Sequence, residues 1–314
     1  MHKIALLDDW MDDARQAADW SCLSDHAIDV FHDTITGDAL IERLQPYSIL
    51  GVMRERTPLT KEVIDALPNL QAIITSGMRN ASIDTAYARS KGIVVMGTQS
   101  PGHATAELAM ILIGNLARHI MPSAHAMQEG GWQVATGRDL RGARLGILGL
   151  GRLGSQVAKF GQAFGMDVVA WSQNLTKARC DEVGVTYLDK ETFFQSCDFI
   201  SIHLKLSERV RHLIDADMLA LMKHDACLIN TSRAPIIDKD ALSAALRAGA
   251  IGGAAIDVYD YEPLPSDDPL RQLPNLIMTP HIGYVTKETM QIFYGQMVEG
   301  IAAFIDGNPI RELP

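Results

Sequence analysis

The sequence predicts an α/β protein folded as two domains, each with a parallel sheet covered on both faces. Three observations carry that prediction. Short apolar runs alternate with helix-like stretches along the chain, the pattern of buried parallel strands joined by helices. At 314 residues the chain is longer than one ordinary core accommodates. A glycine triplet, Gly149-Leu-Gly151-Arg-Leu-Gly154, stands between an apolar run and a helix-like stretch in the second half.

In residues 1–100 the expected strands are Lys3–Leu7, Ile28–Phe31, Ile49–Met53, Ala72–Thr75 and Val94–Met96. Helix-like stretches lie between them, including Asp38–Leu44 and Lys61–Ala66, the latter ended by Pro68. Gly97-Thr-Gln-Ser-Pro-Gly102 is rich in turn formers and marks the domain boundary. His103 to Ile120 is apolar nearly all round, which predicts one helix buried between domains or subunits. Gly130, Gly131 and Gly137 mark a loop after it.

The second half opens with the strand Arg144–Leu148, the glycine triplet, a helix over Ser155–Phe164 and a strand over Met166–Trp171. This βαβ unit is the setting in which the triplet has meaning. Gly149 permits a tight turn, Gly151 lets backbone approach a pyrophosphate, and Gly154 allows close helix–strand packing. The helix start then offers free N–H groups and the positive end of the helix dipole to phosphates. A plain tight turn is the ordinary alternative. Strands then follow at Phe199–His203, Cys227–Asn230, Gly253–Asp257 and Leu276–Thr279. The helix Asp240–Arg247 is followed by Gly249, and a last helix over Lys287–Ile305 ends at Gly307-Asn-Pro309.

With 47% hydrophobic and 21% charged residues the chain reads as globular. A formal net charge of -10 argues against non-specific binding to nucleic acid or anionic membranes. An anionic cofactor must therefore be held by local dipoles and a few cations. Met1 to Asp8 is a short apolar run ending in an acid, a first strand rather than a signal peptide. No apolar window is long enough to span a membrane. The four cysteines, Cys22, Cys180, Cys197 and Cys227, lack CxxC spacing. They are expected to be buried free thiols of a cytoplasmic protein, and no metal site is expected.

Three ionisable residues fall just beyond strand-like segments: Arg233, Glu262 and His281. Ligands of open parallel sheets bind beyond the carboxyl ends of strands. A guanidinium can hold a carboxylate bidentately and polarise the adjacent carbonyl. A histidine can exchange the alcohol proton near neutral pH, and a carboxylate beside it orients the ring. Taken singly, each has an ordinary reading: a surface cation, a solvated loop acid, a core histidine.

The chain resembles the D-isomer-specific 2-hydroxyacid dehydrogenases along nearly its whole length. The resemblance rests on Leu140–Gly154, Leu228-Ile-Asn-Thr-Ser-Arg233, Ile256-Asp-Val-Tyr-Asp-Tyr-Glu-Pro263 and Thr279-Pro-His-Ile-Gly283, in family order. It implies that Arg233 binds and polarises a 2-oxo acid, that His281 is the acid/base, and that Glu262 is its partner. It implies a cofactor set of Gly149, Gly151, Arg152, Leu153, Gly154, Ser172, Gln173, Asn174, His203, Thr231 and Asp257, with Asp257 toward the nicotinamide. It further implies a flavodoxin-like substrate domain of residues 1–100 and 285–314 and a Rossmann cofactor domain of 101–284. These would flank a cleft, with a homodimer formed through the cofactor domain. The activity implied first is that of a glyoxylate or hydroxypyruvate reductase. Formate or phosphite oxidation, and a nucleotide-sensing corepressor, are the alternatives.

The sequence departs from the family in three places. Ser172-Gln173-Asn174 replaces the acid common at the end of the second cofactor-domain strand, and Lys177 and Arg179 follow. Loss of that charge leans the NAD(P) choice toward NADP. Lys205 replaces a usual proline, and Arg79 replaces a second glycine in Ser76-Gly77-Met78-Arg79-Asn80. Gly77 is expected to offer its backbone N–H to the substrate carboxylate. Arg54, Ser76, Met78 and Arg79 complete the expected substrate loop set, with Arg79 either a substrate cation or a brace paired with Glu55 or a nearby acid.

Overall fold

The computed structural model describes all residues, Met1–Pro314, and divides into two compact units. The first is Met1–Pro101 with Val285–Pro314, the second Gly102–Tyr284.

The first unit runs β1 (Lys3–Leu6), α1 (Ala14–Ala17), β2 (Ala27–Val30), α2 (Gly37–Leu44), β3 (Ile49–Val52), α3 (Lys61–Asp65), β4 (Ala72–Thr75), α4 (Thr85–Ser90) and β5 (Val94–Gly97). All pairs are parallel and the order is β2-β1-β3-β4-β5, the flavodoxin-like arrangement. β3 and β4 are buried at every residue, as strands covered on both faces must be. Thr60 and Asp84 cap α3 and α4 by accepting from the amides of Val63 and Tyr87. The last helix, Lys287–Ile305, packs on β4 and β5, and the tail beyond it joins β5 through Leu313 N–H to Val95 O at 2.8 Å.

The second unit holds α5 (His103–Arg118), α6 (Ile120–Gln128), β6 (Arg144–Leu148), α7 (Arg152–Ala163), β7 (Asp167–Trp171), α8 (Lys177–Val183), β8 (Thr186–Tyr187), α9 (Lys190–Ser196), β9 (Phe199–Ile202), α10 (Ala216–Leu221), β10 (Cys227–Asn230), α11 (Lys239–Arg247), β11 (Gly253–Ile256) and β12 (Leu276–Met278). Its seven strands lie in the order β12-β11-β10-β9-β6-β7-β8, every pair parallel. Counted from β6, this is the Rossmann order extended by one strand. Alternate residues face opposite cores. Leu148, Val169, Ile200 and Leu228 pack with Phe193 and Phe194, while Leu145, Ile147, Val168 and Ile229 pack with Ile113 and Val157.

The structure corrects the sequence reading in three places. The stretch His103–Ile120 is not one helix: α5 stops at Arg118, His119 turns left-handed at φ 50°, and α6 begins at Ile120. Pro122 explains the break, since it has no N–H for a continuing ladder but fits the first turn of a new helix. The helix after the glycine triplet begins at Arg152, three residues before the expected Ser155, so Gly154 lies inside its first turn. Finally, Cys22 is exposed, on a short 3-10 turn, while Cys180, Cys197 and Cys227 are buried free thiols.

The glycine positions differ in what they permit. Gly149 takes φ 102°, and a side chain there would meet His203 O at 2.9 Å. A Cβ on Gly154 would stand 2.1 Å from Gly149 O and 3.0 Å from Ile147 Cγ2, whereas one on Gly151 meets nothing within 4 Å. Gly154→Ala should therefore cost about 1–3 kcal/mol of stability through overpacking. Gly151→Ala should leave the melting temperature near that of wild type. Thermal denaturation of the two variants checks this, and equal losses would refute the packing argument.

Candidate active site

β10, β11 and β12 are successive neighbours, so the segments leaving their carboxyl ends emerge side by side. Arg233 leaves β10, Glu262 follows β11 and His281 follows β12. Asn230, the last residue of β10, is 1% exposed and ties its own exit: Oδ1 accepts from Ser232 N–H and Nδ2 donates to Arg233 O, each at 3.0 Å. Ser232 Oγ donates to Leu204 O at 2.6 Å, binding this turn to the segment after β9. Arg233 itself donates from a guanidinium nitrogen to Ser232 O at 2.7 Å and is half-buried.

His281 Nδ1 and Glu262 Oε2 lie 2.6 Å apart, with side chains 17% and 22% exposed. The other Glu262 oxygen accepts from Tyr259 N–H at 3.0 Å, which fixes the carboxylate. A charge-assisted bond of this length holds the imidazole plane and leaves Nε2 as its outward nitrogen. Tyr284 meets the ring edge-on, at 5.5 Å between centroids. His281 takes φ 53°, a left-handed conformation uncommon outside glycine. Such strain persists only where the surroundings over-determine it.

The residue that over-determines it is Asp257, 1% exposed at the end of β11. One oxygen accepts from Thr279 Oγ1 at 2.6 Å and Ile282 N–H at 2.8 Å, and the other from Gly283 N–H at 2.8 Å. Burial pushes its acid form upward in pKa, against the pull of these donors and of His281. Asp257 was expected to face the nicotinamide; here both its oxygens hold the His281 segment.

The residues expected to meet a dinucleotide lie along the carboxyl ends of β6, β7, β9 and β10. Gly151 caps the twelve-residue α7, whose first turn includes Arg152, Leu153 and Gly154. Thr231 has a buried hydroxyl without a hydrogen-bond partner. Open space at Gly151, a helix N-terminus and an orphaned hydroxyl together fit a phosphate-bearing nucleotide. Ser172 is half-buried, while Gln173 and Asn174 are exposed. Arg179, six residues beyond Gln173, bonds Leu150 O, Ser155 Oγ and Glu182, so it braces the glycine loop. His203 sits on Gly149, with Ser201 Oγ 2.8 Å from its Nε2.

In the first unit, the expected substrate residues follow β3 and β4, and the structure alters three of their roles. Ser76 is fully buried: its hydroxyl accepts from Arg54 N–H at 2.8 Å and faces Met53 Sδ, so it is structural. The Gly77 N–H, expected to meet substrate, donates to Thr98 Oγ1 at 2.8 Å. Glu55 pairs with Arg54 at 3.7 Å rather than with Arg79. The Arg54 guanidinium lies over Gly77, and Met78 and Arg79 are exposed. Sequence reasoning missed Tyr259, Tyr284 and Thr98. Their contribution is a backbone amide, a ring edge and a hydroxyl, none of which leaves a motif.

Burial pushes the His203 imidazole down to about 4, so it stays neutral in the folded protein. The unfolded side chain takes a proton near pH 6.5, so folding stability is full above that value and lost as pH falls toward 4. The slope contributed is about 1.4 kcal/mol per pH unit. His203→Gln should flatten the fall in melting temperature between pH 6.5 and 4.5, and unchanged acid sensitivity would reject the buried ring as its source.

Comparison with known proteins agrees with this geometry. Residues 108–283 match the profile of the D-isomer specific 2-hydroxyacid dehydrogenase NAD binding domain. A glyoxylate reductase of Korarchaeum cryptofilum is 35% identical over 278 residues, covering 86% of this chain and 83% of that protein. A hydroxypyruvate reductase of Thermotoga maritima is 35% identical over 280 residues, covering 87% and 90%. The crystal structure of a phosphoglycerate oxidoreductase from Vibrio cholerae O395 superposes with a TM-score of 0.93 at 36% identity, covering 98% of this chain and all of that one. The chain belongs to the D-isomer-specific 2-hydroxyacid dehydrogenase family and is an oxidoreductase with that family's NAD binding domain.

Proposed function

We propose that this enzyme interconverts a small 2-oxo acid of the glyoxylate or hydroxypyruvate type with its D-2-hydroxy acid. The observation that carries this reading is the 2.6 Å His281–Glu262 pair at the carboxyl end of the strand array that also presents Arg233. The names of two relatives support the substrate class. Gly102–Tyr284 takes the role of dinucleotide domain, and the other unit that of substrate domain.

The nicotinamide, when bound, supplies or accepts the electron pair. The chain's own residues do the rest. Arg233 holds the substrate carboxylate and draws electron density from the neighbouring carbonyl. His281 gives a proton from Nε2 to the carbonyl oxygen in reduction and takes it back in oxidation. Glu262 holds Nδ1 and supplies the countercharge for the imidazolium. The amides of Met78 and Arg79 make no hydrogen bond within the chain and, beside the Arg54 guanidinium, suit an anionic group of the substrate. The carboxylate-free end of β7 favours NADP(H) over NAD(H). Three buried free thiols suit a reducing, cytoplasmic compartment.

The same enzyme is proposed to act as a homodimer through α5, α6 and the irregular segment after them. No residue of α6 is buried, and Ile111, Ile120, Met121, Met127 and Trp132 are 53–72% exposed. A patch of that kind marks an interaction surface. Light scattering should give twice the chain mass, and Met121→Glu with Trp132→Glu should give the monomer. A monomeric wild type would overturn the dimer.

Cofactor absorbance at 340 nm with a panel of 2-oxo acids tests the activity. His281→Ala should lower kcat by about 10²–10⁴-fold with a smaller change in KM. Arg233→Ala should raise KM and lower kcat together, and Glu262→Gln should lower kcat at nearly constant KM. Near-normal turnover of His281→Ala would end the assignment.

A further inference from the structure

We propose that Arg209, on the segment between β9 and α10, holds the 2′-phosphate of NADP(H) from across the end of β7. The proposal rests on the NADP(H) reading above. An adenosine ribose on a Rossmann domain meets the end of its second strand, here Ser172–Asn174 after β7. That segment closes a turn through Leu175 N–H to Ser172 O at 3.1 Å and carries no charge of either sign. A phosphate there needs a cation from elsewhere.

Two contacts bring such a cation to this spot. Gln173 Nε2 donates to the backbone carbonyl of Arg209 at 3.3 Å. The next residue, Val210, is 8% exposed and belongs to the same apolar cluster as Trp171, the last residue of β7. Val210 pins the short 3-10 turn Glu208–Val210 from below and leaves Arg209 at its exposed tip.

The other charges nearby are differently engaged. Arg179 is spent on Glu182, Ser155 and Leu150, and Arg211 pairs with Glu208 at 3.7 Å. Arg209 has no ion pair with any acid of the chain. Lys177, exposed on the first turn of α8, and Lys205, exposed after β9, are further cations, while Lys190 is engaged over the Trp171 ring at 5.9 Å. A guanidinium matches phosphate geometry better than an ammonium, and Ser172 and Asn174 add neutral donors to the same group. Arg209 thus serves as the specificity-determining cation of the cofactor site.

Calorimetric titration with 2′,5′-ADP and with 5′-AMP tests this without turnover. The wild type should bind 2′,5′-ADP more tightly than 5′-AMP. Arg209→Gln should weaken 2′,5′-ADP by roughly tenfold to a hundredfold, the worth of one charge-assisted bond, and leave 5′-AMP unchanged. Arg209→Glu should reverse the preference. Arg209 is exposed, so these variants should keep the wild-type circular dichroism spectrum. If the wild type prefers 2′,5′-ADP and Arg209→Gln keeps that preference, this assignment is overturned while the NADP(H) reading stands. Loss of the preference in Lys177→Gln alone would move the contact to α8. Equal affinities in the wild type, or no binding of 2′,5′-ADP, would overturn the NADP(H) reading and this proposal together.

Discussion

The buried carboxylate of Asp257 is the constraint on which the catalytic geometry depends. It gathers a side-chain hydroxyl and two backbone amides from Thr279, Ile282 and Gly283. With three donors of one loop bound to a single rigid group, His281 is held between them in a backbone conformation it would not adopt alone. Glu262 then meets a ring already in place. A carboxyl group at 1% exposure is costly unless it is hydrogen-bonded, and here both of its oxygens are. Stability and chemistry are coupled at this residue.

The same economy recurs at the carboxyl end of each sheet. Asp8, buried after β1, accepts from the hydroxyls of Thr34 and Thr57, and Asn230 ties the exit of β10. Parallel strands end with their carbonyls and the following amides pointing toward one edge. A short polar side chain at the first turn can satisfy several of them at once. The resulting turns are stiff, which suits residues that must hold a reacting carbonyl in register. Thr98 performs the same service for Gly77 in the first unit.

Much of this was legible in the sequence because buried parallel strands leave continuous apolar runs and the βαβ turn needs glycine at fixed offsets. The strands around Arg144–Leu148 and Cys227–Asn230 come out with the bounds the pattern predicts. The helix break at His119 was less visible, since α5 and α6 are both apolar and only Pro122 marks the join. The start of α7 was displaced because Gly154, a poor helix former, lies inside the helix where its missing side chain is required.

The sequence by itself determined the fold class and which residue types stand beyond which strands, because these follow from periodicity and local spacing, and four motifs in order carried the family resemblance. Only the tertiary structure decided what each polar side chain is bound to. It turned Asp257 inward, spent the Gly77 amide on Thr98 and the Ser76 hydroxyl on Arg54, and set Arg209 beside Gln173. Hydrogen bonds join groups far apart in the chain, and their distances depend on the packing of whole strands and helices. No local pattern encodes that.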